Sequence, residues 1–285
     1  MQYHRLRMMP ARPPLPLLQR LLPSPLMKAS ALLHVTAAGS LVAAPSAWPW
    51  VAGAVIADHL VLAGCGLAPR SSWLGPNLNR LPASAAARGS IALTIDDGPD
   101  PEVTPRVLER LAERGARATF FCIGERVARH ADLAREIVRR GHAVENHSQR
   151  HLRQFSLLPS GALAREVTEA QATILEVCGA APRFFRAPAG LRSPLLEPEL
   201  ARLGLRLASW TRRGLDTLSR DAGAVLARLS RGLAGGDILL LHDGGGARSR
   251  AGSPVILEVL PRLLDAAAEA RLAPVTLRAA CDGIE

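Results

Sequence analysis

"TIDDGP", residues 94–99, closes the apolar run "IALTI" (91–95) with two adjacent carboxylates and a turn pair. The β-branched run reads as a strand and Gly98-Pro99 as its exit turn. Asp96 and Asp97 therefore stand at a strand's C-terminal end, where two like charges repel unless they are solvated or share a cation. From this strand onward the chain alternates. Further strands are expected at 118–123, 142–145, 183–187, 205–210, 237–242 and 274–277. Helical periodicity fills most gaps: a helix capped by Thr104 with Pro105 behind it and ending at Gly115, then helices near 124–140, 160–178, 194–203, 221–234 and 254–271. Seven strands alternating with helices imply a parallel sheet, doubly wound or closed as a barrel. In such folds the chemistry gathers at the C-terminal ends of strands.

The reactive residues fall at those ends. "HSQRH" places His147 and His151 four apart after the third strand, and on a helical turn that spacing lets both imidazoles reach one metal. Asp97 or Asp96 supplies a carboxylate third ligand, the donor set of catalytic zinc and of some non-haem iron sites. The other aspartate is then free to act as general base toward a water activated by the metal. Arg186, at the end of the fourth strand, is the cation that would orient it. His242 closes the sixth strand as a candidate acid for a leaving amine, with Asp216 or Asp243 to tune it. His4, His34, His59, His130 and His142 receive no role at this stage.

The net charge of +10 invites a nucleic-acid reading, but +7 of it lies in residues 1–88, where eight basic residues face Asp58 alone. A nucleic-acid enzyme carries its basic stripe on the working domain, so that class is set aside. Lys28 is the sole lysine, and the arginine bias is compositional. Cys65, Cys122, Cys178 and Cys281 are scattered, with no C-x-x-C pair, and read as unpaired thiols. Hydrophobic residues make up 48% of the chain, enough for a sizeable core.

The first ninety residues differ. Residues 1–28 are basic, with "PARPPLPLLQRLLPSP" at 10–25, and are expected to be disordered; Met27 is a possible start. "ASALLHVTAAGSLVAA" (29–44) and "WPWVAGAVIADHLVLAGCGLA" (48–68) approach the ~20 apolar residues that span a bilayer, with Trp48 and Trp50 between them. Residues 29–68 are expected to form a membrane hairpin, 69–89 a linker, and 90–285 the catalytic domain. Flanking charges place both ends of the hairpin in the cytoplasm of a bacterial inner membrane. The rival is a lipoprotein box, "LAGC" (62–65), which would lipidate Cys65 and put the domain outside.

Together, "TIDDGP", "HSQRH", "RAPAG" (186–190), "SWTRRGLD" (209–216) and "LLLHD" (239–243) resemble, in order, the five motifs of the polysaccharide deacetylases, carbohydrate esterase family four. The resemblance covers about residues 90–280. It implies a distorted (β/α)7 barrel and a divalent metal, usually zinc, with cobalt, manganese or nickel as substitutes. It implies Asp96 as base, with Asp97, His147 and His151 as ligands. Arg186 would hold the base, His242 would be the acid, and Asp216 would tune that acid. Pro188, Gly190 and Trp210 fall in motifs that line the substrate. The implied reaction removes an N-acetyl or N-formyl group from an amino sugar.

The sequence departs from the pattern at Ala189 and Thr217, where the family often has aromatics. Aromatic residues are 4% of the chain, so a small or lipid-linked amino sugar is expected rather than a long polymer. The family also resembles a deformylase of lipid-linked aminoarabinose. A non-catalytic, membrane-tethered sugar binder of the same fold would be expected to lack the base or a ligand.

Overall fold

The computed structural model describes residues 23–282. The expectation of disorder in the proline-rich segment lies outside these residues for 1–22. The described chain opens with helix α1 (Pro25–Ala43), whose first turn is capped by Ser24 Oγ accepting from Met27 N. A 3-10 turn (Pro45–Ala47) leads into α2 (Trp48–Leu67). Both helices are long and apolar enough to cross a membrane. A helix of ~20 residues rises about 30 Å, the hydrocarbon thickness of a bilayer. Their apolar side chains face outward: Val42 is 86% exposed, and Trp50, in the first turn of α2, 84%. A soluble core helix would bury such residues.

The hairpin ends against the domain. Arg192 N donates to Gly66 O at 3.0 Å, and a Cβ on Gly66 would lie 2.5 Å from the Arg192 carbonyl oxygen. Residues 69–89, expected as a linker, carry the buried Leu74, Leu81 and Ala85 and the short helix α3 (Ala83–Ala87).

The strands β1 (Ser90–Asp96), β2 (Thr119–Cys122), β3 (Ala143–Asn146), β4 (Phe184–Phe185), β5 (Arg206–Leu207), β6 (Arg212–Arg213), β7 (Ile238–His242) and β8 (Ala273–Val275) form one parallel sheet. Its order is β5-β4-β3-β2-β1-β7-β6, with β8 paired to the start of β1. The eighth strand, beyond the seven expected, is β6. It arises because the expected 205–210 strand stops at Leu207 and pairing resumes at Arg212.

That short interval fixes the shape. Laid flat, seven strands at ~4.8 Å spacing would put β5 and β6 about 29 Å apart. The five steps from Leu207 to Arg212 reach at most about 17 Å. The sheet must therefore curl until its edges nearly meet, as a distorted (β/α) barrel. Leu78, from the 69–89 stretch, bridges Ala208 in the remaining gap.

Connecting helices cover the outside: α4 (Thr104–Ala112), α5 (Gly124–Arg129), α6 (Ala131–Arg139), α7 (Ser160–Cys178), α8 (Leu196–Arg202), α9 (Ala222–Ser230) and α10 (Val255–Glu269). Helix α7 matches its expected bounds, ending on Gly179 in the left-handed conformation at φ 70°. The expected 124–140 helix breaks at His130, which leaves helical geometry at φ −123°. Thr104 is not a cap. It is the first helical residue, and the Asp100 carboxylate accepts from Glu102 N and Val103 N instead.

Strand alternation sorts the side chains. Ile91, Leu93, Ile95, Leu239 and Leu241 pack outward under the helices. Ala92, Phe121, Phe184, Ile238 and Leu240 fill the barrel. Helix α11 (Leu277–Asp282) plugs the N-terminal end. There, Leu277 N donates to Thr119 Oγ1, and Arg278 Nε donates to the fully buried Glu145 at 2.6 Å. Burial pushes the Glu145 carboxyl up, against the pull of Arg278 and of the Arg183 and Phe184 amides. Arg278→Met, which strips that carboxylate of its cation, is expected to reduce unfolding free energy by about 3–5 kcal/mol in urea titration.

Candidate active site

The barrel's C-terminal mouth is built from inward positions of β1 and β7 and from the turns that follow. On β1 the inward set is Ala92, Thr94, Asp96, so a polar pair continues where the apolar filling stops. Arg186, immediately after β4, reaches into this layer and is 1% exposed. Its NH1 donates to Thr94 Oγ1 (2.8 Å) and Asp96 Oδ1 (2.6 Å). Nε and NH2 donate to the carbonyls of Ala208 and Ser209. Its carbon Cζ lies 4.1 Å from the Phe121 ring centroid. A guanidinium so surrounded holds one Asp96 oxygen in a fixed place. Asp96 Oδ2 points the other way, 3.9 Å from His147 Nε2.

After Asp96 the chain turns through Asp97 at φ 74°. Arg126 NH1 holds the Asp97 carbonyl at 2.9 Å, and Gly244 passes so close that a Cβ would lie 2.4 Å from that oxygen. The turn aims Asp97 Oδ1 at Nε2 of both His147 and His151, 3.2 Å from each. One ligand atom from each of the three residues lies within 4.8 Å of the others.

The 147–151 segment is not the helical turn expected from the spacing. Ser148 and His151 are both left-handed, at φ 64° and 53°, and Ser148 Oγ accepts from His151 N. The two rings nonetheless converge, with centroids 4.8 Å apart. Of the six non-glycine residues with positive φ among the described residues, five (Asp97, Ser148, His151, Ala189 and Leu215) lie in or beside these motifs. Such conformations cost about 1–3 kcal/mol each, persist only where the surrounding structure over-determines them, and cluster at functional sites.

The donor set fits a divalent cation on local grounds. His147 Nδ1 contacts the Arg186 carbonyl at 2.9 Å. A carbonyl only accepts, so Nδ1 carries the proton and Nε2 presents its lone pair to Asp97 Oδ1. That oxygen is buried and has no hydrogen-bond partner among the described residues. Lone pairs converging on an orphaned carboxylate oxygen repel unless a cation lies between them, and the Nδ1–carbonyl bond is the usual support behind a ligating histidine. Burial works against the Asp97 charge, but His147, His151 and His242, when protonated, hold its carboxyl well below the usual carboxylate range.

On the opposite side, Asp216 is fully buried and grips His242 twice. Oδ1 accepts from Nδ1 at 2.9 Å and Oδ2 from the backbone N at 2.7 Å. Burial pulls the His242 imidazole down, but the Asp216 hydrogen bond and charge, with Asp96 and Asp97 beyond, lift it above its ordinary 6.5. The choice between Asp216 and Asp243 as its partner falls to Asp216. Asp243 instead bonds Thr104 Oγ1 and packs against Gly98, and burial first, then Asp97 and Asp100, push its carboxyl up to about 7 against the Thr104 bond.

Pro188, Gly190 and Trp210 are buried and form the wall behind Arg186. A Cβ on Gly190 would meet the Trp210 ring at 2.5 Å. Ala189 is the exposed residue of that turn. Thr94 and Arg126 escaped the sequence reading. Thr94 carried a usable signal, since it lies two residues before Asp96 and so on the same strand face. Arg126, one of many arginines, carried none.

The arrangement is that of a hydrolytic centre at the mouth of a curled α/β barrel: a cation-binding triad, a carboxylate fixed by a buried guanidinium, and a histidine held by an aspartate. Residues 83–208 match the polysaccharide deacetylase family. The chain is 33% identical over 194 residues to a peptidoglycan-N-acetylglucosamine deacetylase of Bacillus cereus, covering 67% of this chain and 85% of that one. It is 36% identical over 168 residues to a chitooligosaccharide deacetylase of Sinorhizobium fredii, covering 59% and 78%. Among solved structures, a family 4 carbohydrate esterase from Streptomyces lividans in complex with acetate superposes with a TM-score of 0.59 at 30% identity, covering 65% of this chain and 91% of that one. The chain belongs to the polysaccharide deacetylase family. It is a carbohydrate N-deacetylase, a hydrolase of carbon–nitrogen bonds other than peptide bonds.

Proposed function

We propose that this chain removes the N-acyl group of an amino sugar with a divalent cation, zinc, held by Asp97, His147 and His151. The observation that carries the reading is the orphaned Asp97 Oδ1 facing two imidazole nitrogens at 3.2 Å, with Asp96 Oδ2 3.9 Å from one of them. When bound there, the cation supplies Lewis acidity toward a water and an acyl oxygen. Asp96 Oδ2 takes a proton from the water as its oxygen bonds to the acyl carbon. Arg186 and Thr94 keep Asp96 aimed. His242, protonated on the nitrogen that Asp216 does not hold, gives its proton to the departing nitrogen as the C–N bond breaks. The products are the free amine and the carboxylate.

His242 must carry a proton to serve as acid, so activity falls on the alkaline side as pH rises through its raised pKa. Its contribution to stability has the same sign: full below about 6.5 and lost as pH rises through the folded value. Asp216→Asn is expected to move the alkaline limb of the kcat profile to lower pH. An unmoved limb would remove His242 from the acid role.

The relatives and the mouth support two substrate classes. Glycans bearing N-acetylglucosamine, as in peptidoglycan or chito-oligosaccharides, are the first class. A lipid-linked amino sugar is the second, because Leu157 and Leu218, on loops after β3 and β6, are 83% and 77% exposed where an aromatic platform would suit a polymer. The two apolar helices suit a membrane tether, and the flanking charges favour a cytoplasmic domain. Amine release would be measured from N-acetylglucosamine oligomers, a peptidoglycan fragment and lipid-linked N-acetyl and N-formyl sugars, with chelator and then with zinc restored. Chelator-sensitive release is expected, and the preferred member identifies the class. Release from none of them would defeat the reading.

A further inference from the structure

A second group of metal-ligand residues lies outside this site, in the hairpin. His34 on α1 and Asp58 and His59 on α2 each offer a ligand atom within 4.8 Å of the others. Their supports are specific. Ser30 Oγ donates to Asp58 Oδ2 at 2.7 Å. His34 Nδ1 donates to the Ser30 carbonyl and His59 Nδ1 to the Val55 carbonyl, each at 2.8 Å and one turn back. A carbonyl only accepts, so each Nδ1 carries a proton, and a ring that is neutral then has its lone pair on Nε2. The rings meet edge to face, centroids 5.3 Å apart, and His34 Nδ1 is 3.9 Å from Asp58 Oδ2.

This chemistry stands in an otherwise apolar hairpin. A charged side chain at mid-bilayer costs about 2.5–3.5 kcal/mol on insertion scales, and one hydroxyl hydrogen bond does not discharge a carboxylate. Two histidines with fixed tautomers and a carboxylate are, however, a zinc donor set with its supporting shell in place. The three ligands come from two helices, so an ion shared among them would fix the hairpin's register.

We infer that His34, Asp58 and His59 form a second divalent-metal site, of the zinc class, that staples α1 to α2. The site is structural. The described residues place no base or acid of the Asp96 and His242 kind beside it, and its ligands join the two helices.

The test is zinc content of the full chain in detergent, after equilibration with buffered zinc and removal of excess. Two zinc ions per chain are expected for the wild type, one for His34→Gln/His59→Gln and one for His147→Gln. Deacetylation by the His34→Gln/His59→Gln protein should be unchanged. Ser30→Ala, which leaves all three ligands in place, should weaken zinc uptake at this site by about 10–100-fold, and it serves where the double variant does not fold. One zinc in the wild type, lost in His147→Gln, would overturn the hairpin site and leave the proposed function intact. One zinc lost only in the hairpin variant would do the reverse. Two zinc ions retained by both His34→Gln/His59→Gln and Ser30→Ala would also overturn the hairpin site, because the polar cluster would then be a hydrogen-bonded contact between helices.

Discussion

Asp96→Asn is expected to lower kcat by about 10²–10⁴-fold with zinc content unchanged. The side chain keeps its shape and its bond to Arg186, but an amide cannot accept the proton that the carboxylate takes. The same change has a second, separable consequence. Arg186 is buried, and Asp96 is the carboxylate to which it bonds. Neutralising that partner leaves a guanidinium in the barrel with two carbonyls, a hydroxyl and an amide. The loss in unfolding free energy should approach the ~3–5 kcal/mol of a broken buried pair. Replacing both members, as Asp96→Leu/Arg186→Met, should recover part of that stability and none of the activity. An active, zinc-loaded Asp96→Asn enzyme would remove Asp96 from the base role.

His147→Ala is expected to have the largest effect at the triad. It removes one lone pair aimed at Asp97 Oδ1 and also the hydrogen bond to the Arg186 carbonyl. Zinc affinity at this site should fall by more than about 10²-fold, beyond the range of changes behind a ligand. Deacetylation should fall by about 10³-fold or more, the several kcal/mol that a Lewis acid contributes. Equilibrium dialysis and initial rates measure the two losses independently. His142 is a useful contrast. Burial, with Arg117 and Arg140 adding, holds its imidazole down near 4, and it contacts the Ala118 amide away from the mouth. His142→Gln should leave zinc content and rate as they are.

The strand ends that build the site were legible because a reactive residue stands at the end of an apolar run or just past it, a pattern that needs no long-range information. Thus Asp96, Asp97, His147, Arg186 and His242 fell where a parallel sheet presents its chemistry. The conformation of 147–151 was not legible. Spacing of four suggests a helical turn, but the left-handed Ser148 and His151 are imposed by Asn146 Oδ1 accepting from Ser148 N and by the Ser148 hydroxyl. The two-residue strands β4 and β5 were expected to be longer, because a buried apolar run continues past the last paired residue, and β6 was not expected at all. Trp210 shows the same limit from the other side. Its motif did not show that a glycine without room for a Cβ and the Arg186 guanidinium pack on its ring. Packing of that kind depends on residues from distant motifs. The break at His130 is also invisible locally, since the apolar spacing runs through it.

The measurement that tests this account most directly is acetate release from N-acetylglucosamine oligomers by chelated protein titrated with zinc, run for the wild type and for His147→Ala. The wild type should rise from background in proportion to zinc bound and then reach a plateau, while His147→Ala stays near background across the same range. Full activity in the chelated wild type, or an equal rise in His147→Ala, would contradict a reaction that depends on a cation held by Asp97, His147 and His151.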